Sequence, residues 1–173
     1  MKKFNVIKVM PAVFLALTAM AAQATGKHAG GHDEEAIGKP GAASRVTRTV
    51  NIEMKDDMRF HDSNFKVKQG ETVRFKVKNS GKLTHEMVLG TAEDLQAHNE
   101  MMKKNPEMEH ADANMVTVAP GKTGEIIWQF TKAGKVDFAC LQPGHFDAGM
   151  KGLVAVTGGK TVDKKAEHGD HKH

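Results

Sequence analysis

Apolar and polar residues alternate along most of the middle of the chain. In ETVRFKVKN, Val73, Phe75 and Val77 are separated by Arg74 and Lys76, with Lys78 following, which is the period-two pattern of a half-buried strand. Ile126, Trp128 and Phe130 repeat it, as do Val136, Phe138 and Cys140, and then Val154 and Val156. A shorter apolar strand is expected from His85 to Leu89. Turn-forming pairs fall between these runs at Gln69-Gly70, Ser80-Gly81, Pro120-Gly121, Ala133-Gly134 and Gly158-Gly159. Short alternating strands with regular turns predict an all-β domain, an antiparallel sandwich or barrel.

One segment breaks the alternation. TAEDLQAHNEMMKKNPEMEHADAN, beginning at Thr91, is rich in helix formers, with Thr91 placed to cap and Asp94 three residues on as its capping-box partner. Pro106 should end the helix. Residues 91–115 are therefore expected to be a short α-helical, Met- and His-rich insertion in a β domain.

The two ends read differently from the middle. Residues 1–24 carry Lys2, Lys3 and Lys8, an apolar run from Val9 to Ala22 and small residues at Ala22 and Ala24, the composition of a secretory signal peptide with cleavage expected after Ala24. Residues 25–44 are dominated by glycine, alanine and charge, and residues 160–173 are similarly polar. Neither offers enough apolar surface to offset the entropy of ordering. Both are expected to be flexible, histidine-containing extensions, with His28 and His32 in the arm and His168, His171 and His173 in the tail. One domain of residues 45–159 remains, of ordinary single-domain size.

Removing the signal peptide removes three lysines and no acids, which brings the formal charge from +4 to +1. With no basic face interleaved with aromatics and no tyrosine, nucleic acid is not an expected partner. No later stretch approaches the roughly 20 apolar residues of a membrane span. The chain is expected in the periplasm, an oxidising compartment where its single cysteine, Cys140, has no intramolecular disulfide partner.

Cys140 ends an inward-alternating strand and opens CLQPGHFDAGM, in which His145 and Met150 follow at intervals of five. The Pro143-Gly144 turn lets this loop fold back and present several side chains to one point. Thiolate, imidazole and thioether are soft to borderline donors that select copper over magnesium or calcium, and a thiolate with two imidazoles and a weak axial thioether is the type 1 copper set. Structural zinc usually takes four strong ligands, and this loop supplies two. The second imidazole must come from elsewhere. His85, starting the short apolar strand of GKLTHEMVLG, is the best placed, whereas His61 lies among polar loop residues and His98 and His110 lie in the insertion.

CLQPGHFDAGMKG resembles the ligand loop of the cupredoxins, which include plastocyanin, azurin, rusticyanin and auracyanin, with spacing similar to the longer-loop members such as rusticyanin. The resemblance extends over about residues 46–158 and includes HDSNFKVKQGETVRFKVKN and the His85 strand. It implies a Greek-key β-sandwich with copper held by His85, Cys140, His145 and Met150. Where many cupredoxins brace their ligand loops with asparagine or serine after the first histidine, this chain has Glu86, and Thr84 precedes that histidine. Pro143 has no N–H, so the backbone of Gln142 is expected to donate to the Cys140 sulfur.

Three functions are weighed on these residues. Copper handling and tolerance is favoured by the density of methionine and histidine outside the main site. His98, Met101 and Met102 fall on one helical face, with Met108 and His110 beyond, and together they could provide secondary copper donors. A soluble one-electron carrier would dock a redox or copper-transport protein through an apolar rim around His145, formed by Pro143, Phe146 and Met87. A hydrolase using Cys140 as nucleophile lacks any recognisable orienting group or oxyanion hole. The chain is expected not to be an enzyme, a cuprous oxidase activity being the one kept in view.

Overall fold

The computed structural model describes residues 34–158 apart from Glu107, Glu109 and His110. The expected signal peptide, the start of the arm and the tail lie outside the described residues, together with their histidines. Two five-stranded sheets make up the domain. The first has the order β1 (Lys39–Pro40), β8 (Thr123–Gln129), β5 (Thr72–Asn79), β2 (Arg48–Lys55) and β3 (Arg59–His61). The second has the order β4 (Asn64–Lys68), β10 (Lys151–Thr157), β9 (Gly134–Ala139), β6 (His85–Gly90) and β7 (Met115–Val118).

The inward sides of the alternating strands meet in one core. Val73, Phe75, Val77, Ile126, Trp128, Val136, Phe138, Val154 and Val156 are all buried in a single cluster with Cys140 and Met150. Pairing is mixed where the turns suggested antiparallel strands throughout: β2 runs parallel to β5, and β4 parallel to β10. Alternation reports which face of a strand is buried and carries no information on its direction.

Strand β6 is buried at every position, so its period-two signal is absent. Its two faces have different covers. Met87 and Leu89 point into the main core, while Val88 joins Leu95 and Met102 of α2 (Ala92–Lys104) in a second cluster with Met115, Ala139, Leu141 and Phe146. The helix forms as its capping signal predicts: the Asp94 N–H donates to Thr91 Oγ1 at 3.1 Å. The Asp94 carboxylate departs from the box pattern, accepting from the Thr91 hydroxyl at 2.7 Å. The helix stops at Lys104, two residues before Pro106, whose ring disfavours helical backbone in the residue ahead of it.

The arm expected over residues 25–44 is corrected in its second half. Ile37, at the end of the short helix α1 (Glu34–Ile37), is buried in the main core, and its carbonyl accepts from Trp128 Nε1 at 2.9 Å. Strand β1 then extends the first sheet by pairing with β8. One apolar side chain and a sheet edge suffice to dock this segment, and composition averaged over twenty residues hides both. No helix among the described residues is long and apolar enough to cross a membrane.

Candidate metal centre

Three ligand-type side chains converge at one end of the sandwich. His85 is the first residue of β6, Cys140 directly follows β9, and His145 lies in the loop returning to β10. Their ligand atoms all lie within 4.8 Å of one another. His85 Nδ1 is 3.2 Å from His145 Nδ1, which is 3.3 Å from Cys140 Sγ. The loop closes on itself through backbone bonds: Cys140 N–H donates to Met150 O and Met150 N–H to His145 O, both at 3.1 Å. Gly144 and Gly149 take φ of +84° and +95°, left-handed values that L side chains rarely adopt.

The surroundings fix the orientation of these groups. His85 Nε2 faces Asp56 Oδ1 at 3.1 Å, and a carboxylate accepts there only from Nε2–H. That tautomer leaves the Nδ1 lone pair toward Cys140 and His145. Asp56 is itself held by the N–H groups of Lys82 and Leu83, at 2.8 and 3.2 Å. The first of these bonds, followed by the His85 contact, keeps its carboxyl below the ordinary carboxylate range. Arg59 Nη1 donates to the carbonyl of Ala148 at 2.7 Å, tying the ligand loop to β3.

Glu86 points to the opposite side of β6 and takes over the bracing that asparagine or serine supplies elsewhere in the resembling family. Its Oε1 accepts from the Leu141 N–H at 2.9 Å, and Oε2 is reached by Thr117 Oγ1 and Gln142 Nε2, both at 3.4 Å. Its backbone N–H lies 3.4 Å from the Cys140 sulfur. The backbone N–H groups of Glu86 and Gln142 partly offset the effect of burial on that thiol.

Cys140 is fully buried. Burial pushes its thiol up to about 12 in the metal-free chain, so at neutral pH it is protonated and a metal must displace that proton. Burial, and then the neighbouring His85, push His145 below its usual value. Its imidazole is therefore neutral and able to donate a lone pair at neutral pH. A histidine whose folded pKa is depressed costs the fold stability once the unfolded chain begins to take up the proton. Apo stability therefore falls as the pH drops through about 6.5 and below, until the folded-state pKa is passed.

Met150 is fully buried beside Cys140 in the main core, one residue ahead of β10. His61 lies on the surface, its Nε2 3.0 Å from Asp57 Oδ2, outside the cluster. The apolar rim expected around His145 is thinner than anticipated. Met87 and Phe146 are both buried, Met87 because it occupies an inward position of β6 and Phe146 because it packs beneath α2 with Lys151 over its ring. Pro143 is exposed beside the half-buried His145.

The secondary donors separate. His98 and Met102 are buried residues of α2 itself, Met101 is half-buried, Met108 is exposed, and His110 lies outside the described residues. The inward face of α2 buttresses the ligand loop. Leu95 and Met102 pack with Leu141 and Phe146, while Asn99 Nδ2 and Lys103 Nζ reach the Asp147 carboxylate at 3.3 and 3.0 Å. Asp56, Arg59 and Asp147 escaped sequence reasoning, because nothing in their local patterns distinguishes them from other surface charges.

The Asp56 contact has a measurable consequence. A carboxylate on the far nitrogen of a metal-bound imidazole raises its basicity and favours the more highly charged ion. Asp56→Asn is expected to weaken Cu(II) binding at least tenfold while changing Cu(I) binding less, raising the reduction potential by about 59 mV for each tenfold of difference. Potentiometry of the variant checks this, and an unchanged potential would show that Asp56 serves only to hold the loop.

Residues 46–157 match the family described as copper binding proteins, plastocyanin/azurin family. The chain is 52% identical over 132 residues to the copper-resistant cuproprotein CopI of Rubrivivax gelatinosus, covering 75% of this chain and 80% of that protein. It is 34% identical over 181 residues to the CopI of Pseudomonas aeruginosa, covering 86% and 97%. Among solved structures it is similar to auracyanin B (TM-score 0.58, 22% identity, 69% of this chain and 96% of that one). It is also similar to dithionite-reduced auracyanin from Roseiflexus castenholzii (TM-score 0.56, 24% identity, 65% and 98%).

Proposed function

Since the chain belongs to the plastocyanin/azurin family of copper-binding proteins, we propose that it is a periplasmic type 1 copper protein serving copper tolerance. His85 and His145 would bind copper through Nδ1 and Cys140 through its thiolate, with Met150 as the weak axial thioether. The observation that carries this is the convergence of two imidazole nitrogens and one thiol sulfur within 4.8 Å at one end of a rigid sandwich. Bound copper supplies a one-electron Cu(I)/Cu(II) couple. The chain supplies constraint: Asp56 sets the His85 tautomer, Glu86 and Arg59 brace the loop from opposite sides, and the Glu86 backbone N–H donates to the sulfur. A site fixed before the electron arrives needs little rearrangement when it does.

Copper tolerance is favoured over electron carriage by the relatives named copper-resistant cuproproteins. A hydrolytic role is disfavoured, because the only thiol is fully buried and protonated at neutral pH. Export to the periplasm follows from the signal-peptide pattern of residues 1–24.

Visible absorption and EPR spectra of the copper-loaded protein test the assignment. An intense thiolate-to-copper band with one copper per centre is expected, and a colourless Cu(II) adduct would refute it. In the same assay Met150→Leu should keep its copper and its band while the potential rises, because Cu(II) loses a donor that Cu(I) needs less. Complete loss of copper from that variant would mean that Met150 holds the loop rather than tuning the ion.

A further inference from the structure

A pocket of about 660 Å³ opens on the α2 side of β6, lined by three methionines, Met102, Met108 and Met115. The methionines come from three different places: the last turn of α2, the segment after it, and the start of β7. Met102 and Met115 are nearly buried, and Met108 is 41% exposed at the surface. Glu86 and Gln142 complete the side nearest the metal centre, and no lysine or arginine lines the pocket among the described residues.

We propose that this pocket is a second, separate binding site for a soft monovalent cation, Cu(I), with Met102, Met108 and Met115 as thioether donors. The proposal rests on the copper-tolerance reading above and deepens it. Thioethers are soft, uncharged donors that suit Cu(I) and compete poorly for Zn(II), Mg(II) or Ca(II). Methionine has three rotatable side-chain bonds and adapts its sulfur position readily, so donors from three segments can close on one ion. The Glu86 carboxyl group at the pocket wall places oxygen atoms beside the methionines. An exposed Met108 gives the ion a way in from solvent.

The location gives the site its role. Glu86 is the neighbour of His85 and accepts from the N–H of Leu141, the neighbour of Cys140. A cation beside Glu86 is therefore one residue removed from two of the type 1 ligands, on the opposite face of β6. The sequence pattern suggested His98, Met101, Met102, Met108 and His110 as secondary donors. The pocket brings Met102 and Met108 of that set together with Met115, Met108 being the exposed member.

Ag(I), a redox-inert monovalent probe, tests this on the full-length protein with its type 1 centre already filled by Cu(II). Ag(I) binding is measured against a competing chelator, and the visible band is recorded in the same samples. Met108→Leu and Met115→Leu keep side-chain volume and remove sulfur. The double variant is expected to lose one Ag(I) equivalent relative to wild type, and Met108→Leu alone to weaken that equivalent at least tenfold, with the visible band and melting temperature retained. Silver held by histidines in the terminal extensions would be equal in both proteins and cancels. Equal Ag(I) stoichiometry and affinity in wild type and double variant, with the band intact, would overturn the pocket while leaving the type 1 assignment standing. An absent band in wild type would instead defeat the type 1 reading itself.

Discussion

Cys140→Ser will remove the intense visible band and weaken copper binding by more than two orders of magnitude. The band depends on electron density moving from a thiolate sulfur to Cu(II), and a serine hydroxyl is a harder donor that stays protonated at neutral pH. Losing an outer partner of a metal ligand already costs about 10- to 100-fold in affinity, so losing the thiolate itself costs more. The fold should survive. Cys140 is fully buried in the main core, but its backbone bond to Met150 does not need the sulfur, and the exchange is nearly isosteric. Absorption spectroscopy and a chelator competition on the variant decide the matter, and a retained band would remove Cys140 from the centre.

The second large effect is on stability. Met102→Ala is expected to destabilise the domain by about 2 to 5 kcal/mol, the usual range for truncating a buried methionine, and to lower its melting temperature by the order of 10 °C. Met102 is 3% exposed and packs with Leu95, Met115, Leu141 and Phe146. The type 1 spectrum should persist in the variant, because the ligand loop is also clamped by the bonds between Cys140, Met150 and His145 and by Glu86 and Arg59. Thermal unfolding with a parallel absorption spectrum measures both. A loss under about 0.5 kcal/mol, the scale of ordinary surface substitutions, would contradict the packing described for α2.

These two effects separate what each part of the protein contributes. The sandwich places the candidate donors, and α2 presses on the loop that carries three of them. Asn99 and Lys103 hold Asp147 from the helix, while Leu95 and Met102 cover Leu141 and Phe146. An insertion that reads in sequence as a reservoir of metal donors also serves, on its inward face, as a buttress. Buried methionine and histidine on an amphipathic helix have the same spacing in either role, because the 3.6-residue period is set by the helix and not by what the face meets.

Much of the molecule follows from local pattern. Alternation in β5, β8, β9 and β10 determined which side chains fill the main core, since a strand with one buried face must place its apolar residues at every second position. The cap at Thr91 and the stop before Pro106 determined the limits of α2, both being local backbone effects. The C-x4-H-x4-M spacing of the ligand loop, with its glycines at 144 and 149, singled out Cys140, His145 and Met150 because their chemistry is unusual as well as their spacing. Only the tertiary structure decided that β2 and β4 run parallel to their neighbours, that Ile37 docks beside Trp128, that Asp56 rather than a backbone group faces His85, and that Met102, Met108 and Met115 share a wall with Glu86. Each of these joins residues distant in sequence through a single contact or a shared face. A repeating pattern leaves its mark along the chain, whereas one contact between two ordinary residues leaves none until the chain has folded.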